Sequence, residues 1–147
     1  MRIRLLSVGR DRADPLAPAV AEYVSRIDKF LPAEAEVLRS GRDDRLAERI
    51  LKEGRGGGKV LVALDERGRE IDSDGLADLV AEWMNRSVEA VTFVVGGADG
   101  LPSEVLQRAD LSLSLSRMTL PHRVARLVVA EQIYRALCAV RNVPYRR

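Results

Sequence analysis

Hydrophobic positions along the chain follow two alternating rhythms, one of strand type and one of helical type. Ile3 to Val8 is a short apolar run, and behind it Asp14-Pro15 offers an N-cap and a first-turn proline. Leu16, Val20, Tyr23, Val24, Ile27 and Leu31 then recur at helical spacing, so a strand followed by a helix is expected. Glu36 to Arg39 reads as a weak strand. Asp43-Asp44 opens a short amphipathic helix through Leu46, Ile50 and Leu51, which the run Gly54-Arg55-Gly56-Gly57-Gly58 ends. Lys59 to Leu64 and Val91 to Val95 are continuous apolar strands of the kind covered on both faces. Between them, Asp65 to Asp72 reads as a charged turn. Ser73 or Asp74 caps a helix with Leu76, Leu79, Val80, Trp83 and Met84 on one side. Pro102 and Ser103 start a helix to about Ala109, and Leu111 to Leu115 alternates as a last strand. The final helix runs from about Pro121 to Arg141, with Val124, Leu127, Val128, Tyr134 and Cys138 on its apolar face.

Five strands, each followed by a helix, predict one α/β domain over residues 1–147: an open, mostly parallel sheet with helices on both faces. Ligands of such sheets bind at the carboxyl ends of the strands. The loops that matter for function are therefore those after Val8, Leu64, Val95 and Leu115.

Composition narrows the choice of function. At 147 residues there is no room for a second large catalytic module. Aromatics make up 4% of the chain, too few for the usual platform on which single-stranded bases stack, so any nucleic-acid contact has to rely on charge and shape. The net charge is only +2, but its distribution is uneven: Arg117 to Arg147 holds seven arginines and one acid, Glu131, against an acidic remainder. Arginine without lysine favours bidentate contact with phosphate or carboxylate, although a solvated helix face explains the same residues. The single cysteine, Cys138, excludes an internal disulfide or a cysteine-based zinc cluster, and no metal is expected. No signal peptide or membrane span is apparent, and a cytoplasmic protein without a membrane partner is expected.

The loops themselves exclude more than they select. Gly9-Arg10-Asp11-Arg12 is neither the dinucleotide glycine fingerprint nor a Gly-Lys-Ser/Thr phosphate loop, and no Gly-x-Ser-x-Gly elbow occurs. The lone histidine, His122, reads as a surface or capping residue ahead of a catalyst. Gly96-Gly97-Ala98-Asp99-Gly100 directly behind a buried strand lets backbone groups approach a ligand closely; the same glycines also suit a plain tight turn. Ser116-Arg117-Met118-Thr119-Leu120-Pro121-His122 exposes apolar groups that could close over a flat ring, or staple the entry of the last helix.

Taken together, Leu64-Asp65, Gly96-Gly97-Ala98-Asp99-Gly100-Leu101, Leu113-Ser114-Leu115-Ser116, Met118-Thr119-Leu120-Pro121-His122, Arg126, Glu131-Gln132-x-Tyr134-Arg135-Ala136 and Pro144-Tyr145 resemble, in order and separation, the small SPOUT methyltransferases of the RlmH family. The resemblance covers the whole chain. It implies an α/β sheet whose C-terminal part threads a trefoil knot, with S-adenosylmethionine (SAM) bound in the knot. It also implies a homodimer that methylates N3 of a pseudouridine in 23S ribosomal RNA on assembled ribosomes. Carried over by position, Leu64, Gly96, Gly97, Ser116, Arg117, Met118, Thr119, Leu120 and Pro121 should form the cofactor pocket. Arg126, Glu131, Tyr134 and Arg135 match the last-helix motif, where Glu131 and Arg135 are four apart and equally suited to a structural ion pair.

The family commonly ends in His-Pro-Tyr-His-Arg, whereas this chain ends Val143-Pro144-Tyr145-Arg146-Arg147. With both histidines replaced, Tyr145 and Arg147 are assigned to substrate positioning, and Arg135 is the first candidate to stabilise an imide anion electrostatically. Two other readings compete. One is a flavodoxin- or receiver-type ligand-binding module, which would need a phosphate loop or acidic pocket after the first strand. The other is a non-catalytic RNA- or ribosome-associated adaptor that keeps the SAM pocket.

Overall fold

The computed structural model of the chain describes residues 1–9, 13–39 and 45–145. Five strands, β1 (Arg2–Gly9), β2 (Ala33–Arg39), β3 (Lys59–Glu70), β4 (Ala90–Val95) and β5 (Leu111–Ser114), alternate with five helices. The helices are α1 (Ala17–Asp28), α2 (Arg45–Gly54), α3 (Ser73–Asn85), α4 (Ser103–Arg108) and α5 (His122–Val140). All strand pairs are parallel, in the order β2-β1-β4-β3-β5.

Period-two alternation divides the strand side chains between two cores. Ile3, Leu5, Val62, Val91, Phe93 and Val95 point to a layer that holds the apolar sides of α1, α3 and α5. Leu6, Val8, Leu61, Ala63 and Val94 point the other way, onto α2 and α4. Each fully buried Leu, Val or Phe here contributes about 1.5–3 kcal/mol, which is why the continuous apolar runs end up in the central strands. In α2, Ala47, Ile50, Leu51 and Gly54 are buried at i, i+3, i+4 and i+7. Gly54 lies so close to the next strand that a Cβ there would sit 2.7 Å from Leu61 Cδ1.

Besides β2, which starts at Ala33 and not Glu36, and β5, which ends at Ser114 and not Leu115, three boundaries differ from those expected. The cap of α3 is Asp72, whose Oδ1 accepts from Gly75 N at 2.7 Å, one residue ahead of the expected Ser73 or Asp74. Asp14 caps nothing in α1, which starts at Ala17 behind Leu16; instead its Oδ1 accepts from Leu16 N at 2.8 Å in the preceding turn. The expected cap at Asp43-Asp44 lies outside the described residues. The third difference has the largest consequence. Asp65 to Glu70 is not a turn but a continuation of β3, broken in register so that Leu113 of β5 faces both Leu64 and Arg69. Gly68 allows this close approach, since a Cβ there would be 2.7 Å from the Ser112 carbonyl carbon. Charge density along 65–70 suggested solvent; β5 pairs there because it needs only backbone groups.

Candidate active site

The carboxyl ends of β3, β4 and β5 enclose a cavity of about 790 Å³. Its walls are the irregular stretch of β3 after Leu64, the glycine loop after Val95 and the segment after Leu115. The glycine turn and the Thr-Leu-Pro segment thus face one another across one space. Leu64, Gly96, Gly97, Ser116, Met118, Thr119, Leu120 and Pro121 all line it, together with His122 and Ala125 from the start of α5. Arg117 does not: its side chain is 87% exposed and sits 3.5 Å from Glu70.

The glycines divide their work. Gly100 has φ +76°, and its N–H donates to the Gly97 carbonyl at 3.0 Å, closing a tight turn that side-chain-bearing residues would strain. Gly96 and Gly97 serve close approach. A Cβ on Gly96 would meet the Gly100 carbonyl carbon at 2.6 Å, and one on Gly97 the Val8 carbonyl oxygen at 2.8 Å. The tight-turn reading therefore holds at Gly100, while the close approach at Gly96 and Gly97 is to the chain's own backbone. On the opposite wall, Ser114 Oγ donates to the Ser116 carbonyl and Met118 N donates to Ser116 Oγ, each at 2.9 Å. These bonds shape a turn in which Met118 stands 77% exposed over the mouth.

Asp65, Glu66 and Asp99 also line the cavity, with Arg67 as the counter-charge, and they were missed as site residues. Thr119 Oγ1 donates to Glu66 Oε2 at 3.2 Å across the opening. The signal that could have found Asp65 and Glu66 was the very charge run taken for a turn; Asp99 was visible inside the glycine loop. A cavity of this volume, apolar on Leu64, Leu115, Leu120 and Pro121 and acidic on one side, matches a flat apolar group joined to a positively charged one. SAM, with its adenine, sulfonium and ammonium, has that chemistry. No group of three or more His, Cys, Asp or Glu that could hold a metal ion occurs among the described residues.

Glu131, Tyr134 and Arg135 of the last-helix motif lie elsewhere. Arg135 is thirteen residues beyond His122, about 20 Å along α5 at 1.5 Å per residue. There Glu131 is a hub: its Oε1 accepts from Arg135 Nη2 at 2.6 Å, Arg135 Nε at 3.0 Å and the Tyr145 hydroxyl at 3.2 Å. Its Oε2 accepts from Gln132 Nε2 at 2.7 Å, and Ser73 Oγ donates to Gln132 Oε1 at 2.6 Å. The Arg135 guanidinium lies 4.8 Å from the Tyr145 ring centroid, and that ring packs edge-on to Tyr134 at 4.8 Å. The hydrogen bond to Tyr23, then burial and the negative Glu131, push the Tyr145 phenol well above its usual range, while Glu131 pushes Arg135 up. Arg135 is thus a fixed cation and Tyr145 a neutral phenol. Arg147 and Arg146 lie outside the described residues. Tyr23, Tyr145 and Phe30 gather around Tyr134, and Trp83 packs on Phe93 in the core, so all six aromatics take part in internal packing.

The comparisons agree with one another. The family model described as "Predicted SPOUT methyltransferase" matches residues 1–146. Among curated proteins, the ribosomal RNA large subunit methyltransferase H of Anaeromyxobacter sp. (strain K) is 42% identical over the whole of both chains. That of Syntrophotalea carbinolica is 42% identical over 99% of this chain and 98% of its own, and that of Rhizobium leguminosarum bv. trifolii is 36% identical over 100% and 99%. Solved structures share the fold at low identity. A probable methyltransferase from Bordetella pertussis has a TM-score of 0.60 and 14% identity over 92% of this chain and 95% of its own. A probable methylase family protein from Haemophilus influenzae has a TM-score of 0.56 and 15% identity over 99% and 70%. The observed strand order also departs from the flavodoxin order 2-1-3-4-5. No helix among the described residues is long and apolar enough to cross a membrane. With the family model and full-length relatives in accord, the chain belongs to the RlmH family of SPOUT methyltransferases.

Proposed function

We propose that the chain transfers a methyl group from SAM to N3 of a pseudouridine in 23S ribosomal RNA on assembled ribosomes, and does so as a homodimer. The observation that carries this reading is the single cavity in which the glycine turn and the Ser116–Pro121 segment meet. Backbone groups of Leu64, Gly97 and Ser116 to Pro121 would hold the adenine edge, Met118 and Leu120 would cover the ring, and the carboxylates of Asp65, Glu66 and Asp99 would favour the cationic end. Arg117 contributes through its backbone alone. When bound, SAM supplies a methyl group on a positively charged sulfur, so no metal is needed for activation. The family's trefoil knot, formed by the chain after β4, is part of the proposal.

The chain's own task is alignment and stabilisation of the N3 anion: the N3 proton passes to solvent water, the N–CH3 bond forms as the S–CH3 bond breaks, and S-adenosylhomocysteine leaves. N3 of the target ring is a weakly acidic imide, and Arg135, held cationic against Glu131, favours its anion at the moment of attack. Tyr145 stays protonated at neutral pH and, with its hydroxyl held on Glu131, positions the ring by packing, with Arg147 on the neighbouring phosphate. Because Arg135 stands about 20 Å along α5 from His122, a cavity of one protomer works with the Arg135 and Tyr145 of its partner. The arginine-rich C-terminal part then extends a positive surface toward phosphates.

Calorimetry with SAM and methylation of purified ribosomes with the modified base mapped test the proposal. Stoichiometric SAM binding and a methyl group at one pseudouridine are expected. Binding without methylation would leave only an RNA-associated adaptor.

A further inference from the structure

Arg126 is a charged residue that the scheme above does not use, and its surroundings are unfavourable. Its side chain is 12% exposed; its Nη1 lies 3.6 Å from Asp14 Oδ2, too far for a good hydrogen bond, and its buried Nε has no partner. Burial pulls its pKa down and Asp14 restores only part of it. A cation near the start of α5 also opposes the helix dipole. Nor does α1 need it, because Asp14 Oδ1 already serves Leu16 N at 2.8 Å. Replacing Arg126 and Asp14 together by apolar residues of similar volume should therefore be neutral or stabilising, whereas removing Arg126 alone leaves Asp14 without its counter-charge. Such an arrangement calls for a reason other than stability.

Its place in the fold supplies one. His122 and Ala125, the residues one turn before it and next to it, line the cavity. Asp14 stands at the start of α1, and α1 packs along α5. We propose that Arg126 is a positioning residue for the SAM cavity: through Asp14 it clamps the first turns of α5 to the start of α1, and so fixes the wall formed by His122 and Ala125. The proposal rests on the assignment of SAM to that cavity.

Arg126→Met, Arg126→Lys and Asp14→Asn test it, Asp14→Asn retaining the oxygen that serves Leu16. For Arg126→Met, which leaves Asp14 without its counter-charge, a lower Tm is expected together with a roughly tenfold rise in both the SAM Kd and the KM for SAM at temperatures where the protein is fully folded, kcat staying within about twofold. Amide exchange should quicken in residues 123–126 and stay unchanged in the second half of α5. Asp14→Asn should move these readouts the same way, and Arg126→Lys should recover most of the affinity. SAM affinity within twofold of wild type in both Arg126→Met and Asp14→Asn, or a loss that merely tracks a lower Tm and is not recovered by lysine, overturns the proposal. If Arg126→Met fails to fold, Asp14→Asn decides. If the wild-type protein binds no SAM, the cofactor assignment falls, and the exchange rates alone still judge the clamp.

Discussion

The two ends of α5 meet different chemical demands with different materials. At its start, the cavity is shaped largely by backbone: glycines stripped of Cβ, a serine turn and the ragged end of β3. Toward its other end, Glu131, Gln132, Arg135 and Tyr145 form a polar cluster made almost wholly of side chains. A backbone-walled cavity suits a constant ligand that must be held the same way each time. A side-chain cluster of fixed charge suits the transient handling of a reacting ring. In the proposed scheme, the distance between them is the reason for invoking a second copy of the chain.

The sharpest way to break this comparison is to fill the cavity. Gly97→Trp places an indole where even a Cβ would press on the Val8 carbonyl, and SAM affinity should fall at least about a hundredfold by calorimetry, while thermal unfolding remains cooperative. Arg135→Met, at the opposite end, should lower the methylation rate by about 10²-fold and leave SAM affinity within twofold. Mixing these two inactive variants tests whether the ends work in trans. Random reassortment should restore about a quarter of wild-type turnover, since half the dimers then hold one intact pairing. Absence of any recovery would mean that the ends act within one chain or not at all. A smaller separation should come from salt: raising it weakens RNA binding steeply and SAM binding hardly.

The smallest expected effect concerns Tyr145. Its folded-state pKa is raised, so the folded protein holds that proton more tightly than the unfolded chain does. This contribution to stability is fully present below about pH 10, the ordinary tyrosine value, and is lost as pH climbs through the raised value. Urea unfolding followed from pH 9 upward should therefore show a steeper decline for wild type than for Tyr145→Phe.

The element order and the two-faced sheet were legible because Val-Leu-Val-Ala-Leu and Val-Thr-Phe-Val-Val have no other stable place than between helical layers. The extension of β3 to Glu70 was not, because backbone pairing with β5 leaves no trace in the polarity of Asp65 to Glu70. The glycine loop and the Thr-Leu-Pro segment were each readable either as ligand loops or as a tight turn and a helix staple; their meeting in one cavity depends on β3 lying between β4 and β5, which no local pattern encodes. Conversely, Glu131 and Arg135 were visible as an i, i+4 pair, but the hydrogen bonds from Gln132 and Tyr145 arise from tertiary packing.

The pairing of Trp83 with Phe93 has a practical consequence. The chain's sole indole is sealed in the hydrophobic layer beneath α3, and the cavity wall includes neither ring. Intrinsic fluorescence excited at the indole will therefore follow the collapse or loss of the packed interior. It will stay nearly silent when a nucleoside enters, so optical melting curves and ligand titrations can be read independently on the same sample.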